Sequence, residues 1–240
     1  MKILEGKGVT KSFGALRAVD RVDFSLQEGE ILGMIGPNGA GKTTLFNVIA
    51  GVYPPSEGQI SYRGEVISGK KAHEICRLGI AKTSQITRPF YAMSVLENVA
   101  MGGLYGKGLS LREARKEAEE ILDFVGLKKA RHGLPGSITV ADRRRMELAR
   151  VLATGAGIIL LDENMAGLTP TEVEEALDLL REIHRRGRTL IVVEHVMRAV
   201  MGISDRVMVL DHGEKIADGP PQAVARDERV IEAYLGTKAC

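Results

Sequence analysis

Long apolar runs and cysteines are scarce in this chain of 240 residues. No apolar run approaches the roughly 18 residues that a membrane-spanning helix needs. The first residues, MKILEGKGVT, lack the apolar core of a secretory signal. The two cysteines, Cys76 and Cys240, lie far apart and form no metal-binding spacing. These absences argue against a membrane-spanning protein and a disulfide framework, and they predict a reduced, cytoplasmic globular protein.

Excess charge and repetition are missing as well. The 33 Lys and Arg residues against 31 Asp and Glu residues leave a net charge of +2, which does not require an anionic polymer as a partner. The chain has no internal repeat, low-complexity tract or long coiled-coil insert. Its hydrophobic content of 44% is ordinary for a globular protein, and its length suffices for one large domain or two small ones.

The apolar segments near the N-terminus are short and bounded by turns. VDFSL, EILGMIG and QISYRGEVI have this form, and Arg63-Gly64 in the last one predicts a hairpin turn. The later stretch RVMVLDHGEKIADG predicts a second hairpin. Between them the hydrophobic period changes, because Ser110 and Glu113 form a capping box before the amphipathic segment LREARKEAEEILDFV, which Gly126 ends.

Two nearly continuous apolar runs, GIILLDE (157–163) and TLIVVEH (189–195), carry acidic residues only at their ends. Such runs are typical of parallel strands that are buried on both faces. Between them, the stretch 169–172 (TPTE) starts a helix that Gly187 ends, which predicts a strand–helix–strand unit. We therefore expect an α/β fold with a mostly parallel sheet, an antiparallel N-terminal β part and a mostly helical insertion.

The stretch GPNGAGKT (36–43) matches the phosphate-loop pattern GxxxxGK[ST]. Its glycines let successive backbone N–H groups turn towards an anion, and the following helix directs its positive end at the phosphates. Lys42 would supply a charge to the β and γ phosphates, and the Thr43 hydroxyl would ligate Mg²⁺. The alternative is a glycine-rich turn that matches by chance, but the position between a strand and a helix favours nucleotide binding. The candidate cofactor-binding residues here are Gly36, Pro37, Asn38, Gly39, Ala40, Gly41, Lys42, Thr43 and Thr44.

Polar residues end both of the apolar runs. Asp162 is placed to hold Mg²⁺ through water, and Glu163 is placed to polarise an attacking water. The alternative is an ordinary polar strand end, which the phosphate loop in the same chain makes the weaker interpretation. His195 ends the second run, where it is either a core or surface histidine or, on the same sheet edge, a sensor of the γ-phosphate.

In this order of motifs the chain resembles an ATP-binding cassette (ABC) ATPase over almost its whole length. The motifs are Phe13-Gly14, the phosphate loop, Gln85 in AKTSQ, Asp162-Glu163, AGLTP (166–170) and Glu194-His195. The resemblance implies that Phe13 stacks on adenine, although alone it reads equally well as a core residue. It also implies that Gln85 touches Mg²⁺ or the lytic water, and that His195 contacts the γ-phosphate.

The resemblance implies a single ABC ATPase domain over 1–240 that uses ATP and Mg²⁺. Its P-loop ATPase core would comprise 1–85 and 154–240, and 86–153 would form a helical subdomain. Such cassettes pair head to tail with a second ABC ATPase subunit, which is the same or a different chain. Each ATP lies between one subunit's phosphate loop and the other's signature motif.

Short strings bring the resemblance closer to one subfamily. ENVAMG, AGLTP, EHVM and EAYLG look like the ATPase subunits of branched-chain amino-acid importers, although importers of other amino acids, urea or amides have similar cassettes. This implies transmembrane permease partners, an indirect solute-binding protein and a peripheral position on the cytoplasmic face of the plasma (inner) membrane.

The alternatives are a soluble ABC-type ATPase acting on nucleic acid or the translation machinery, and a weakly hydrolysing regulatory cassette. Proteins of the first kind usually fuse two cassettes or insert a coiled coil, and this chain does neither.

The sequence departs from the family at two places. Asn164 stands where the family usually has proline, which predicts a mild change in backbone stiffness. The family's LSGGQ signature aligns with 138–142, where Thr139 keeps the hydroxyl but Val140 and Ala141 replace the glycines and limit a close approach to a ligand. Under the resemblance these three residues still face a partner's ATP. The alternative is that Thr139 only caps the following helix and Asp142 favours its first turn.

The three arginines that follow, 143–145, raise the question of a basic patch. Three consecutive helical positions span about 200° of the helix surface, so we expect mostly solvated side chains rather than a nucleic-acid site. No aromatic residues are interleaved with them, and we expect no nucleic-acid partner. Glu147 is in range of Arg143 and Arg150 for surface ion pairs.

Overall fold

A computed structural model describes residues 1–84, 88–194 and 197–235 of the chain. The strands in chain order are β1 (Lys2–Phe13), β2 (Leu16–Gln27), β3 (Ile31–Ile35), β4 (Glu57–Tyr62), β5 (Glu65–Val66), β6 (Ile80–Lys82), β7 (Ile158–Asp162), β8 (Thr189–Val193), β9 (Arg206–Asp211) and β10 (Glu214–Gly219). The helices are α1 (Lys42–Ile49), α2 (Ala72–Leu78), α3 (Val95–Gly102), α4 (Leu111–Phe124), α5 (Val140–Ala153), α6 (Pro170–Arg185), α7 (Met197–Ile203), α8 (Pro221–Val224) and α9 (Glu228–Leu235).

The chain divides into two compact units. The first contains the residues up to Ala72 and those from Thr189 onward, and the second runs from His73 to Arg188. Among the described residues, no helix combines the length and the apolar composition that crossing a membrane requires.

The first unit contains an antiparallel sheet and a group of mostly parallel strands. In the antiparallel sheet the strand order is β2-β1-β4-β5. In the second group β3 pairs in parallel with β8 and with β9, and β10 joins β9 as an antiparallel edge strand. Every residue of β3 and β8 is buried, as expected for apolar strands covered on both faces. The carboxyl end of β3 leads directly into the phosphate loop.

The second unit combines one parallel strand pair with a helical part. β6 pairs with β7, and Ile80 lies opposite Ile158. Helices α3, α4 and α5 share a core that includes Val99, Ala118 and Met146, all at most 1% exposed. A π-helical turn, Gly103–Lys107, extends α3 towards α4.

The local predictions from the sequence are largely confirmed. Both hairpins form, as β4–β5 and β9–β10. The capping box of Ser110 and Glu113 begins α4, and a second box, Thr169 with Glu172, begins α6. The α/β class with an antiparallel N-terminal sheet, parallel strands and a helical part is also confirmed. The boundaries proposed for the helical subdomain, 86–153, stay a prediction.

Candidate nucleotide site and its surroundings

The phosphate loop joins β3 to α1 through three glycines, two of which leave no space for a Cβ. A Cβ at Gly36 would lie 2.1 Å from the carbonyl O of Leu210, and one at Gly41, where φ is +98°, would lie 2.3 Å from the carbonyl O of Ala18. At Gly39, with φ of +80°, a Cβ would meet nothing within 4 Å. The loop is therefore fixed at both ends by close backbone packing and open at its middle.

Helix α1 begins as a phosphate-binding helix should. Gly41 stands at its N-cap in a left-handed conformation and provides no side chain to cap the first-turn N–H groups. Lys42 is only 6% exposed, and its ammonium donates hydrogen bonds of 2.8 Å to the carbonyl oxygens of Gly36 and Pro37. A buried ammonium above a helix N-terminus favours a bound anion at this loop.

Phe13 ends β1 and is 43% exposed, so the interpretation as a core residue is wrong. Its ring centroid lies 5.3 Å from that of Tyr53, and the two rings meet edge to face at 83°. The Lys11 ammonium lies 5.2 Å from the Phe13 centroid and 5.7 Å from that of Tyr53. Phe13 thus remains partly exposed beside Tyr53 and Lys11. Tyr53 was not predicted from the sequence, where it is marked only as an aromatic residue shortly after α1.

Asp162 ends β7 as a fully buried carboxylate. Its backbone N–H donates a 3.1 Å hydrogen bond to the Thr83 hydroxyl, and its Oδ2 lies 3.4 Å from the Lys82 ammonium. Both contacts come from β6 and its end. The first contact fixes the backbone of Asp162, the second is made with its carboxylate, and neither had a signal in the sequence.

Glu163 has a φ of +49°, a left-handed conformation that costs a residue with a Cβ about 1–2 kcal/mol. Strained residues of this kind concentrate at functional sites. The side chain is half-buried, whereas the next residue, Asn164, is only 6% exposed. The predicted effect of Asn164 on backbone stiffness stays a prediction.

The altered signature forms the N-terminus of α5. Thr139 is exposed at the N-cap, and its hydroxyl accepts a 3.0 Å hydrogen bond from the Asp142 N–H. Val140 follows with 50% of its surface exposed. The structure therefore contains the cap. Because the Thr139 hydroxyl takes the Asp142 N–H, the amides of Val140 and Ala141 are left without an acceptor inside the helix.

The expected ion pair of Glu147 with Arg150 is present, with the guanidinium 3.9 Å from the carboxylate Oε1, but its expected surface position is wrong. Glu147 is 1% exposed, because α5 is buried throughout Met146–Ala149. The same Oε1 accepts a 2.7 Å hydrogen bond from the Ser84 N–H. The arginine triplet is likewise not simply solvated: Arg145 pairs with Glu175, and Arg144 donates to the Ser84 carbonyl at 3.5 Å.

Gln85 and His195, two of the predicted catalytic residues, lie outside the described residues. Their neighbours are described. Arg150 donates a 3.3 Å hydrogen bond to the Arg88 carbonyl, and its guanidinium lies 5.9 Å from the centroid of Phe90. Helix α5 therefore contacts the chain immediately before and immediately after the segment that contains Gln85.

Comparisons with known proteins agree with this geometry. The family described as ABC transporter matches residues 19–166, and the one described as branched-chain amino acid ATP-binding cassette transporter matches 214–239. The high-affinity branched-chain amino acid transport ATP-binding protein LivG of Escherichia coli (strain K12) is 37% identical, over 98% of both chains. BraF of Pseudomonas aeruginosa, described in the same words, is also 37% identical over 98% of both chains.

Two solved structures extend the similarity to the fold. An ATP-binding cassette of an ABC transporter in its ADP conformation superimposes with a TM-score of 0.89 at 30% identity, covering 98% of this chain and 99% of the other. A dimeric cassette in a post-hydrolysis state with ADP and Pi gives a TM-score of 0.81 at 26% identity, covering 91% and 99%. The chain therefore belongs to the ABC transporter family, as an ATP-binding subunit whose activity is ATP hydrolysis.

Proposed function

We propose that this chain powers an importer of branched-chain amino acids by binding and hydrolysing ATP on the cytoplasmic face of the membrane. The observation that carries the proposal is the similarity to LivG along nearly the full length of both chains. The separate match of residues 214–239 to the branched-chain cassette family supports the same subfamily. The solute would be bound by permease subunits and a solute-binding protein. Conformational changes of this cassette would drive those of the permease subunits.

ATP would bind with its phosphates on residues 36–44 and its base against Phe13. Lys42 would neutralise phosphate charge, and the first-turn amides of α1 would donate hydrogen bonds to phosphate oxygens. The exposed face of Phe13 provides a hydrophobic contact to adenine.

The residues proposed for Mg²⁺ supply the hard oxygen donors that this ion prefers. Thr43 offers a hydroxyl, Gln85 an amide oxygen, and Asp162 a carboxylate that lies 3.4 Å from the Lys82 ammonium. When bound, Mg²⁺ would offset charge on the phosphate oxygens. Glu163 would orient the attacking water and accept its proton, and His195 would contact the γ-phosphate.

A second cassette would complete the site. The dimeric relative supports such an assembly, in which Thr139, Val140 and Ala141 would face the partner's ATP. If the partner is a different cassette with a complete signature, ATP on this chain occupies the more active site. In that case mutation of Lys42 would remove most of the activity, and mutation of the partner's equivalent lysine would matter less. In a homodimer both sites would carry the altered signature.

The test uses the complex assembled with its permeases in proteoliposomes. Glu163→Gln should retain ATP binding while ATP hydrolysis and uptake of labelled leucine, isoleucine and valine collapse together. The control is Glu174→Gln on α6, which makes the same charge change at an exposed position. Normal turnover in Glu163→Gln would remove this residue from catalysis.

The uptake measurement and the partners that co-purify with the chain distinguish between the alternatives. If the complex takes up another solute and no branched-chain amino acid, the proposed substrate is wrong but the role in an importer stands. Co-purification with nucleic acid or ribosomes, and not with membrane subunits, would favour the soluble ATPase. ATP binding without hydrolysis in the wild-type complex would favour the regulatory cassette.

A further inference from the structure

Asp162, the carboxylate proposed for Mg²⁺, forms an ion pair with a lysine of the neighbouring strand. Its side chain is 1% exposed, and its Oδ2 lies 3.4 Å from the Lys82 ammonium. The strand register explains this contact. Lys82 lies opposite Leu160 in the β6–β7 pair, and Asp162 follows Leu160 by two positions on the same face of the sheet. The lysine therefore reaches along this face to the strand end that carries the carboxylate.

The backbone around this ion pair is held by hydrogen bonds. The Thr83 N–H donates a 2.9 Å hydrogen bond to the Leu160 carbonyl, and the Asp162 N–H donates one of 3.1 Å to the Thr83 hydroxyl. The next residue, Ser84, donates its N–H to the buried Glu147. The two strand ends are thus tied together by contacts that do not involve the charged groups of the pair.

The two side chains of the pair differ in their access to solvent. The Asp162 side chain is enclosed, whereas the Lys82 side chain is 19% exposed. Lysine carries its charge on a flexible four-carbon stem, and water solvates its ammonium strongly. The Lys82 ammonium can therefore turn towards solvent, while the carboxylate of Asp162 stays in the interior.

An ionised carboxylate at this depth needs a positive charge beside it, because burial of an uncompensated charge costs free energy. In the chain without metal, Lys82 provides that charge. A metal ion held by the same carboxylate would lie near the ammonium, and two positive charges repel each other. The ammonium of Lys82 and a metal ion therefore compete for Asp162.

We propose that Lys82 stands in for Mg²⁺ at Asp162: its ammonium balances the buried carboxylate in the metal-free chain and yields it when metal and nucleotide bind. Lys82 acts through Asp162 and lowers the affinity of the site for metal. The proposal rests on Asp162 being a metal ligand, as stated under the proposed function.

The experiment measures the Kd of the full chain for ADP with the metal removed by EDTA and again at saturating Mg²⁺. The ratio of the two constants reports how much Mg²⁺ strengthens nucleotide binding. Lys82→Met keeps an unbranched side chain and removes the charge. We expect it to raise the ratio by about 2- to 10-fold, because no ammonium then competes for the carboxylate.

Two variants serve as controls for the loss of charge. Lys82→Arg keeps a cation beside Asp162 and should have nearly the ratio of the wild type. Lys128→Met makes the same replacement in the same compact unit, where Lys128 forms an exposed ion pair with Asp123. It should leave the ratio unchanged.

A second measurement does not depend on activity. With ADP and EDTA present, the midpoint of thermal unfolding of Lys82→Met should lie several degrees below that of the wild type, because Asp162 has lost its counter-charge. Addition of Mg²⁺ should recover most of this loss, since Asp162 then has a cationic partner again. A purely structural lysine predicts the same loss with and without Mg²⁺.

An unchanged or lower ratio in Lys82→Met would overturn the proposal, and so would an equal loss of thermal stability in the two conditions. If Lys82→Met does not fold even with ADP and Mg²⁺ present, the role of Lys82 is structural and the proposal is wrong.

The variant Asp162→Asn separates this proposal from the one on which it rests. If Asp162→Asn removes most of the effect of Mg²⁺ on ADP binding and Lys82→Met does not change that effect, only the role of Lys82 fails. If Asp162→Asn keeps the ratio of the wild type, the assignment of Asp162 as a metal ligand fails, whatever Lys82→Met does.

Discussion

Glu147, in the interior of α5, accepts a 2.7 Å hydrogen bond from the backbone N–H of Ser84, which lies 63 positions away in the sequence. One helical turn later, Arg150 donates to the carbonyl oxygen of Arg88. In the sequence, residues 85–87, which include Gln85, stand between Ser84 and Arg88. Helix α5, whose first turn carries the altered signature, therefore contacts the described chain on both sides of 85–87.

The first prediction concerns the carboxylate of Glu147. Glu147→Ala leaves the Ser84 N–H without this acceptor inside the protein, and we expect it to lower the free energy of unfolding by about 1–3 kcal/mol. Glu147→Gln keeps an acceptor oxygen at Oε1 and should cost less. Urea unfolding of the full chain measures both, and Glu174→Ala, at an exposed position, should stay within about 0.5 kcal/mol. Equal losses for the Ala and Gln variants at 147 would show that the hydrogen bond to Ser84 is not what stabilises this region.

The second prediction restores the missing glycines of the signature. In the double variant Val140→Gly and Ala141→Gly, the backbone can approach a ligand closely, and we expect faster ATP turnover in the assembled complex. Glycine at two helical positions should lower the free energy of unfolding by about 1 kcal/mol each.

The matched control for the signature uses the equivalent positions of α4. Leu111→Gly with Arg112→Gly follows the N-cap Ser110 as the signature pair follows Thr139, and it should cost stability without any gain in turnover. If the signature variant loses turnover in step with its stability, 139–142 serves only as a helix cap.

The third prediction tests the aromatic face at the end of β1. Phe13→Ala should weaken ATP binding by about 2- to 10-fold, as expected for the loss of one aromatic contact. Phe13→Tyr should bind nearly like the wild type. Since a ring face does not read the edges of the base, GTP binding should fall by the same factor as ATP binding. Fluorescence titration of the full chain measures these constants, and a selective loss for ATP would contradict the stacking role.

The fourth prediction follows from the thiol of Cys76. Burial raises the pKa of this thiol, and a hydrogen bond with Thr154 and the charge of Arg77 offset part of the rise. The folded state retains the thiol proton more tightly than the unfolded state. The resulting contribution to the free energy of unfolding is therefore fully present below the ordinary thiol pKa of about 8.5, and it is lost as the pH rises through the higher pKa of the folded state. In a Cys240→Ser background, the free energy of unfolding should fall more steeply between about pH 8 and 10 than in the same background with Cys76→Ala. Identical slopes would contradict the raised pKa.

The features that the sequence predicted are local ones. The glycines of the phosphate loop, the box of Ser110 with Glu113 and the turn at Arg63-Gly64 each involve residues within a few positions of one another. Their geometry follows from backbone conformation and nearby side chains, which a single sequence contains. The same holds for the apolar runs that became β7 and β8.

The features that escaped prediction depend on residues distant in the chain. From its spacing to Arg150, Glu147 is predicted to be a surface residue of a helix. Burial of α5 instead gives it a backbone hydrogen-bond partner 63 positions away. Lys82 carries no signal in its own neighbourhood. Its contact with Asp162 forms only when folding brings the two residues together.

The pairing of Lys82 with Asp162, at 3.4 Å, also bears on how this protein diverges. A buried charge that loses its counterion costs far more than a buried pair replaced together. Neither position is therefore free to mutate alone: where Asp162 is kept, we expect arginine as the commonest alternative at 82. If Asp162 holds Mg²⁺ as proposed, a lineage that replaced Asp162 would lose ATP hydrolysis, and Lys82 could then be replaced as well. In such descendants, replacement of Lys82 would then mark chains in which ATP hydrolysis has been lost.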